Sequence, residues 1–212
     1  MIKNPLRSAC GLAGAWFACL LPCGAAIEVA GSLLIDLDAS DFAFGSRKWH
    51  QRTPGTGIPG DFVPKGSPTR QTVAGANAVV FDGDGDYFVG PFTTAALHAP
   101  GAKHSVEIWV YQGNIREQES VVSWGKRWGR PDLSLAGFRY GTDPELGAIG
   151  RWGSYESGFE KVPEAGKWHL LTYTYDGKTQ TVYVDGEAEN SKPVGLLDAH
   201  DMLPIHLGAE IR

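Results

Sequence analysis

The sequence is poor in cysteine, in long apolar runs and in positive charge. Its three cysteines, Cys10, Cys19 and Cys23, all lie within residues 1–26. The uncharged apolar run at residues 9–21 is shorter than the roughly 20 residues of a spanning helix, and no second run follows, so we expect no membrane span. Acidic residues outnumber basic ones, 24 to 19, which argues against nucleic acid and anionic membranes as partners.

Residues 1–26 have the three-part layout of a secretory signal peptide. Lys3 and Arg7 provide the positive region, residues 9–21 the apolar region, and residues 24–26 the small side chains before a cleavage site at Ile27. We therefore expect residues 1–26 to be removed and residues 27–212 to form one secreted domain. All the cysteines leave with the signal, so the burial of apolar surface must stabilise this domain without disulfides.

An alternative interpretation makes Cys23 the lipidated cysteine of a bacterial lipoprotein. Pro22 directly precedes Cys23, which suits the lipoprotein peptidase poorly, and cleavage after Ala26 is therefore favoured. Because Lys3 and Arg7 are removed and no acid is removed, the net charge changes from −5 to −7. This charge is compatible with neutral sugars or with a bound cation.

Residues 27–212 indicate an all-β fold. The chain has 28 glycines and 13 prolines, no long stretch with helical periodicity, and many short β-branched or aromatic runs between turn residues. Two packed antiparallel sheets, a β-sandwich, bury such strands, and uneven strand lengths make a closed barrel the weaker alternative. The pattern predicts about ten strands, at residues 32–38, 78–81, 87–89, 105–111, 120–124, 133–140, 148–152, 168–175, 180–185 and 204–208.

Three local patterns make sharper predictions. Residues 105–111 (SVEIWVY) alternate and carry apolar groups on both faces, which predicts a central strand with Trp109 in the core. Trp168 is predicted to be a core residue too. The Asp-Gly pair at residues 176–177 predicts a hairpin. Residues 42–76 are rich in glycine and proline, and we expect a long irregular excursion anchored by Trp49, Phe62 and Val63.

Four segments resemble the LamG-like, concanavalin A-like jelly-roll domains of bacterial secreted proteins. They are residues 80–88 (VFDGDGDYF), 105–110 (SVEIWV), 167–177 (KWHLLTYTYDG) and 182–186 (VYVDG), in the family's order. Leu170 departs from the pattern, since the family often has a second histidine there. The resemblance implies a jelly-roll β-sandwich that binds carbohydrate or acts as an adhesive module.

The resemblance also implies a further strand after the Leu-Gly-Ala segment at residues 207–209. The sequence ends at Arg212, so we expect a C-terminally truncated sandwich with possible additional domains beyond Arg212.

Asp82, Asp84 and Asp86 are the candidate metal ligands. Three carboxylates within five residues repel one another unless water or a cation neutralises them. The pattern is not an EF-hand, because Tyr87 stands where that loop needs glycine. LamG-like domains often hold a structural Ca²⁺ near this turn, and the resemblance therefore implies a calcium site. The alternative is a tight Asp-Gly turn in water.

The candidate ligand-binding face combines tryptophan and arginine on two loops. Flat aromatic rings match the apolar faces of sugar rings, and charged side chains match their hydroxyl edges. Trp124 and Trp152 suit the core equally well, since each ends a predicted strand. The full set is Trp124, Arg127, Trp128, Arg151, Trp152 and Tyr155.

Catalytic patterns are missing from the sequence. Glycosidases of this fold need paired carboxylates, whereas the strand around Glu107 carries no second acid; Glu117 and Glu119 lie in the next loop, where Arg116 can pair with them. The six histidines show no ligand spacing, and no Gly-x-Ser-x-Gly elbow occurs. We therefore expect a non-catalytic extracellular module that binds a glycan or, alternatively, a structural or adhesive module that binds a protein partner.

Overall fold

The computed structural model describes residues 31–53, 55, 57–124, 137–151, 155–197 and 202–210. The chain divides into two units, residues 1–31 and 32–212. Apart from Gly31, the first unit lies outside the described residues, and the signal peptide at residues 1–26 stays a prediction. Among the described residues, no helix has both the length and the apolar character needed to cross a membrane.

Strands are the main regular secondary structure in the described part of residues 32–212. A 3-10 turn at Ala39–Asp41 and a short helix, α1 (Ala95–His98), are its helical elements. The strands are β1 (Val63–Lys65), β2 (Thr69–Val73), β3 (Ala76–Val80), β4 (Tyr87–Phe92), β5 (His104–Tyr111), β6 (Ser120–Ser123), β7 (Gly137–Arg139), β8 (Ile149–Gly150), β9 (Trp168–Tyr175), β10 (Thr179–Val184), β11 (Glu187–Pro193) and β12 (Pro204–Leu207).

The strands pair antiparallel in two main sheets and one separate hairpin, which confirms the all-β prediction. One sheet has six strands in the order β1-β4-β12-β6-β7-β8, and the other has four in the order β11-β10-β9-β5. The hairpin joins β2 and β3. The order places β12, near the C-terminus, between β4 and β6, so contacts between distant parts of the chain hold the six-stranded sheet together.

The hydrophobic core lies between the inner faces of the two main sheets. Phe88, Val122 and Phe138 face inwards from the six-stranded sheet, while Leu171 and Tyr173 face inwards from β9. The rings of Phe138 and Tyr173 meet across the sandwich at 6.1 Å. Strict alternation along β9 produces this layer, since every second side chain of the strand is buried.

Three hairpin turns use residues at positive φ. The predicted Asp-Gly hairpin is confirmed between β9 and β10, where Gly177 has a φ of 99°. Asp185 and Gly186 join β10 to β11 with φ of 52° and 87°, and Ala74 and Gly75 join β2 to β3 with φ of 46° and 87°. Two successive residues at positive φ form the turn whose twist suits a two-residue hairpin.

The residues before β4 differ from the prediction. Residues 32–38 form no strand. Leu34 and Asp36 each accept one backbone hydrogen bond, from Ile58 and Arg52. The partner residues 52–60 are too rich in proline and glycine to form a regular ladder. Conversely, residues 42–76 contain β1 and β2. The sequence pattern predicted most of β3, at residues 78–81, but missed β2 and therefore the hairpin, because β2 carries polar rather than alternating apolar side chains.

The anchors of this segment are partly as predicted. Trp49 and Phe62 are buried and pair with each other through their backbones, and the Trp49 indole donates to the Asp38 carbonyl at 2.8 Å. Val63 is 40 % exposed and is not an anchor.

The prediction of a central, doubly covered strand at residues 105–111 is wrong. β5 lies at the edge of the four-stranded sheet, and Trp109 is 62 % exposed rather than buried. The two faces of β5 differ because Val106, Ile108 and Val110 pack against the core, whereas Ser105, Glu107 and Trp109 on the opposite face are exposed. β11 was also missed, since its sequence EAENSKP has little β propensity and pairs through the tertiary fold.

Candidate functional site

The predicted Trp–Arg face is divided by the fold. Trp124 is 3 % exposed and lies inside the sandwich, with its ring 5.5 Å from that of His104. Arg127, Trp128 and Trp152 lie outside the described residues. Tyr155 is half-buried. Of the two interpretations of Trp124, its burial therefore favours the core residue.

Arg151 is also buried, and its guanidinium is held by core side chains. Its Nη2 donates to the Tyr173 hydroxyl at 2.5 Å, and its Nε donates to Gln180 Oε1 at 3.2 Å. The guanidinium carbon lies 5.6 Å from the centre of the Tyr173 ring. Burial raises the pKa of Tyr173, and the nearby Arg151 opposes this rise. The Gln180 amide continues the network by donating to the Tyr155 carbonyl at 2.5 Å. Arg151 is therefore connected to the Tyr155 backbone through Gln180.

A second buried arginine joins the C-terminal residues to the six-stranded sheet. Arg139 is fully buried, and its Nε lies 2.5 Å from Glu210 Oε1. Its Nη1 donates to the Leu146 carbonyl at 2.9 Å, whereas Nη2 has no partner among the described residues. Gly150 makes room for this side chain, since a Cβ there would lie 2.5 Å from the guanidinium carbon. These contacts indicate a structural role.

The three aspartates of the predicted metal site do not converge. Asp86 is buried, and its two carboxylate oxygens accept the backbone N–H of Ser67 at 2.5 Å and of Asp82 at 3.1 Å. Asp82 in turn accepts the N–H of Asp84 at 2.7 Å. Among the described residues, no three His, Cys, Asp or Glu side chains form a group suited to a metal ion. Backbone donors therefore satisfy Asp82 and Asp86 in this turn, and calcium binding stays a prediction.

The outer side of the four-stranded sheet is a partly exposed surface, which we call the open face. Its members share one side of β5, β9, β10 and β11 because directly paired residues project to the same face. They are Ser105, Glu107, Trp109, Tyr111, Trp168, Leu170, Thr172, Thr174, Thr179, Thr181, Tyr183, Ala188, Ser191 and Pro193.

Hydroxyl groups cross the open face in a row. Ser105 pairs with Thr174, Thr174 with Thr181, and Thr181 with Ser191. The two hydroxyls of the last pair are 3.0 Å apart. The next row combines Glu107 with the neighbouring Thr172 and Tyr183. Neighbouring residues in such a row are about 5 Å apart, so the face presents a regular array of hydrogen-bonding groups.

Aromatic side chains lie beside these rows. Trp109, paired with Leu170, follows Glu107 along β5, and its ring is exposed to solvent. Tyr111 and Trp168 follow, with ring centres 5.6 Å apart, and the Trp168 indole donates to the Val73 carbonyl at 3.1 Å. The β2–β3 hairpin thus borders the open face on the Trp168 side, and Trp109 remains its most accessible aromatic platform.

The sequence-based prediction missed this surface because it rested on the alternation pattern of β5 alone. The sequence signal was present in β9 and β10, where threonines alternate with buried residues: Thr172 and Thr174 in β9, and Thr179 and Thr181 in β10. A face that is rich in threonine on two adjacent strands faces solvent, so a neighbouring tryptophan on the same face does too.

The loop carboxylates form ordinary structural contacts. Glu119 Oε2 accepts a hydrogen bond from Gln112 at 2.6 Å, and its other oxygen lies 3.9 Å from Arg116 Nε. Burial raises the pKa of Glu119, while the backbone N–H and the charge of Arg116 oppose this rise. The pairing predicted for Arg116 is thus present at Glu119.

The family model of the concanavalin A-like lectin/glucanases superfamily, in its laminin G form, matches residues 78–210. The chain belongs to this family. The match covers the part of the chain from β3 to β12 and confirms the resemblance of the four sequence segments. No curated protein sequence matches the chain.

Several solved structures resemble the chain at low sequence identity. Domain 4 of AbnA, a GH43 extracellular arabinanase from Geobacillus stearothermophilus in complex with arabinotriose, has a TM-score of 0.56 and 16 % identity; the match covers 73 % of this chain and 75 % of that one. The receptor-binding domain of botulinum neurotoxin C/D mosaic serotype has a TM-score of 0.48 and 16 % identity over 74 % and 41 % of the chains. The binding domain of Paraclostridial Mosquitocidal Protein 1 has a TM-score of 0.49 and 14 % identity over 83 % and 43 %. At these identities the likeness concerns the fold alone.

Proposed function

We propose that this domain is a non-catalytic carbohydrate-binding module that acts outside the cell and holds its glycan on the open face. The exposed Trp109 beside rows of hydroxyl groups carries the proposal. Membership of a lectin-type superfamily supports it, as does the similar arabinanase domain that was solved with arabinotriose.

The chemistry of the open face suits a neutral sugar chain. The apolar face of a sugar ring stacks on an indole, and an exposed indole needs no rearrangement to accept it. Glu107, Thr172 and Tyr183 lie in the row beside Trp109 and supply hydrogen-bond acceptors and donors to sugar hydroxyls. A successive sugar unit then lies over the row that begins at Ser105.

The same geometry favours binding without catalysis. Glycoside hydrolysis needs two carboxylates on either side of the scissile bond. Among the strand residues of the open face, Glu107 is the one acid, and its neighbours across the sheet and along the strand are Thr172, Ser105 and Trp109. The face therefore offers a sugar one carboxylate, a hydrogen-bond acceptor rather than an acid–base pair.

The loops predicted from the sequence provide a second candidate surface. Arg127, Trp128, Trp152 and Tyr155 keep the residue types that suit a sugar, and Tyr155 is the one among them that the structure describes. If the glycan lies there, Trp128 rather than Trp109 is the stacking residue.

Glycan-array binding followed by calorimetry tests the proposal. We expect Trp109→Ala to weaken the binding of the best array ligand about tenfold or more through loss of the stacking contact. Phe92→Ala is the matched control, since Phe92 is 61 % exposed and lies in the other main sheet. It should leave affinity unchanged.

Three other outcomes of these binding experiments would change the proposal. Loss of binding in Trp128→Ala with retention in Trp109→Ala moves the site to the loops and overturns the open face as the site. A blank array together with specific binding of one purified protein partner favours the alternative function, an adhesive module of a larger secreted protein. Cleavage of the bound glycan by the wild-type domain contradicts a non-catalytic role.

A further inference from the structure

The carboxylate of Glu107 is exposed on the open face and carries an uncompensated charge. Thr172 of β9 lies directly opposite Glu107, and Tyr183 of β10 lies opposite Thr172. No hydrogen bond or ion pair joins these three side chains to another residue that the structure describes. This row of the face therefore offers a ligand one negative charge and two hydroxyl groups.

The open face contains no cation that could balance this charge. Its strand residues, all of them in the described part of the chain, include no lysine, arginine or histidine. Lys103 and Lys178 lie at or beside the β9–β10 turn, beyond the end of the face. Near the opposite end, Lys167 is engaged by Glu164, with Nζ 2.5 Å from Oε2. The carboxylate on the face is thus left for a ligand to neutralise.

Trp109 is a second group that favours a cation at this place. Residues 107 and 109 project from the same side of β5 and lie about 7 Å apart along the strand. Trp109 is paired with Leu170, so its row is apolar, whereas the row of Glu107 is polar. A sugar ring stacked on Trp109 therefore extends substituents over Glu107, and the face of an exposed indole attracts cations.

The charge of the sugar decides how well this pair of residues accommodates it. Stacking on Trp109 removes water from the neighbouring carboxylate, and a desolvated charge costs free energy unless it is paired. A sugar hydroxyl donates a hydrogen bond and leaves the net charge in place, and an acidic sugar adds repulsion. A protonated amine neutralises Glu107 through a charge-assisted hydrogen bond and is also attracted to the indole.

We propose that the open face selects glycans that carry protonated amines, such as polymers of de-N-acetylated hexosamines, over neutral and anionic glycans. Glu107 is the residue that determines this preference. The inference rests on the proposed function, since it takes Trp109 as the stacking residue. Thr172 and Tyr183 supply hydrogen bonds to the remaining hydroxyls of the same sugar unit. The negative net charge of the chain, −5, attracts a cationic polymer from a distance and acts in the same direction.

An array of matched glycans tests this preference. It carries each hexosamine oligomer in N-acetylated and de-N-acetylated form, together with hexose and uronic acid oligomers of the same linkage. At about pH 6 the amine is protonated. We expect the wild type to bind the amine form about tenfold more tightly than the N-acetylated and hexose forms, and the uronic acid form least. Raising the salt concentration from about 50 to about 500 mM should reduce this ratio, because salt screens an exposed ion pair.

Three variants separate the charge of Glu107 from other effects. Glu107→Gln keeps the size of the side chain and removes its charge, so the ratio of the two affinities should fall to about one while the neutral forms stay bound. Glu145→Gln is the matched control, because Glu145 is an exposed acid in the loop between β7 and β8 of the other main sheet. It changes the net charge equally and should keep the preference. Trp109→Ala should lose both the amine and the N-acetylated forms.

The outcomes distinguish this inference from the proposed function. Equal affinity for the amine and N-acetylated forms, with binding lost in Trp109→Ala, overturns the amine preference and leaves the proposed function intact. A preference that persists in folded Glu107→Gln, or that is lost equally in Glu145→Gln, also overturns it. An array without any bound glycan, or binding that persists in Trp109→Ala, overturns the open face as the glycan site and the inference with it.

Discussion

At the scale of single residues, His104 is enclosed by aromatic rings. The rings of Trp124, Tyr173 and Tyr175 lie within 5.5, 5.7 and 5.7 Å of its own. Its Nδ1 lies 2.8 Å from the Ala102 carbonyl, and its Nε2 has no hydrogen-bond partner among the described residues. Burial lowers the pKa of His104 to about 4, the Ala102 hydrogen bond opposes this, and the charge of Arg151 adds to it.

This environment predicts a loss of stability in acid. Between about pH 6.5 and 4 the unfolded chain binds a proton at His104 and the folded chain does not, so the free energy of unfolding falls as the pH falls. The loss reaches about 3 kcal/mol at most. Urea unfolding from pH 7 to pH 4 measures it, and His104→Phe should show a shallower decline.

His206 serves as a comparison for His104. Burial lowers its pKa too, while a hydrogen bond to the Pro204 carbonyl opposes this, so some of the decline should remain in His104→Phe. An identical pH profile in the wild type and His104→Phe would show that His104 is not the main titrating group.

The buried carboxylate of Asp86 predicts a clear effect on stability. Asp86→Asn replaces one acceptor oxygen by an amide donor, so one of the N–H groups of Ser67 and Asp82 loses its partner. We expect the free energy of unfolding to fall by about 1–3 kcal/mol. The matched control is Asp84→Asn, because Asp84 is exposed in the same turn and its substitution should change stability by less than about 0.5 kcal/mol. Equal effects in chemical unfolding would contradict this view of the turn.

At the scale of elements, the β2–β3 hairpin contains a local conflict. Ala74 holds a φ of 46°, a backbone region that costs a residue with a Cβ about 1 kcal/mol or more. The equivalent position of the β10–β11 turn carries Asp185 before glycine, a favoured pair for such a turn. Of these two turns, the β10–β11 turn has a favourable sequence and the β2–β3 turn is strained.

Relief of this strain should stabilise the protein. We expect Ala74→Asn to raise the free energy of unfolding by about 1 kcal/mol, since asparagine tolerates positive φ and Asn-Gly is a preferred turn pair. Chemical denaturation of wild type and variant measures the difference. Ala74→Val, which disfavours positive φ further, should move stability in the opposite direction, and a fall in stability for Ala74→Asn would refute the argument.

The edge position of β5 also belongs to this scale. Residues 104–111 form a strand, as the alternation indicates, yet a strand that is apolar on both faces suits the middle of a covered sheet equally well. Sheet order decides the matter: β9 lies on one side of β5, and no described strand lies on the other.

At the scale of the whole molecule, the acidic turn predicts a response to calcium. A Ca²⁺ ion held by Asp82, Asp84 and Asp86 would bind the folded state alone, which implies a rise in melting temperature that increases with Ca²⁺ concentration. Differential scanning calorimetry with Ca²⁺ and with excess chelator measures this. An unchanged melting temperature in chelator would mean that backbone donors alone satisfy these carboxylates, as they do for Asp82 and Asp86 in the structure.

The strands of the family region were largely predictable, whereas the candidate site was not. Residues 168–175 are predicted and observed as one strand because strict alternation and the following Asp-Gly turn are local signals. Trp124 and Arg151 were candidates for ligand contact, and the fold buries both, because a side chain at a strand end has two directions available until packing selects one.

The sequence by itself determined the all-β class, the hairpin after Tyr175 and the family, because alternation, turn chemistry and short motifs are properties of neighbouring residues. Tertiary structure alone decided which strands lie next to each other, and therefore which face and which edge stay open. The exposure of Trp109 and the edge position of β5 follow from that order, since they depend on whether distant parts of the chain cover them.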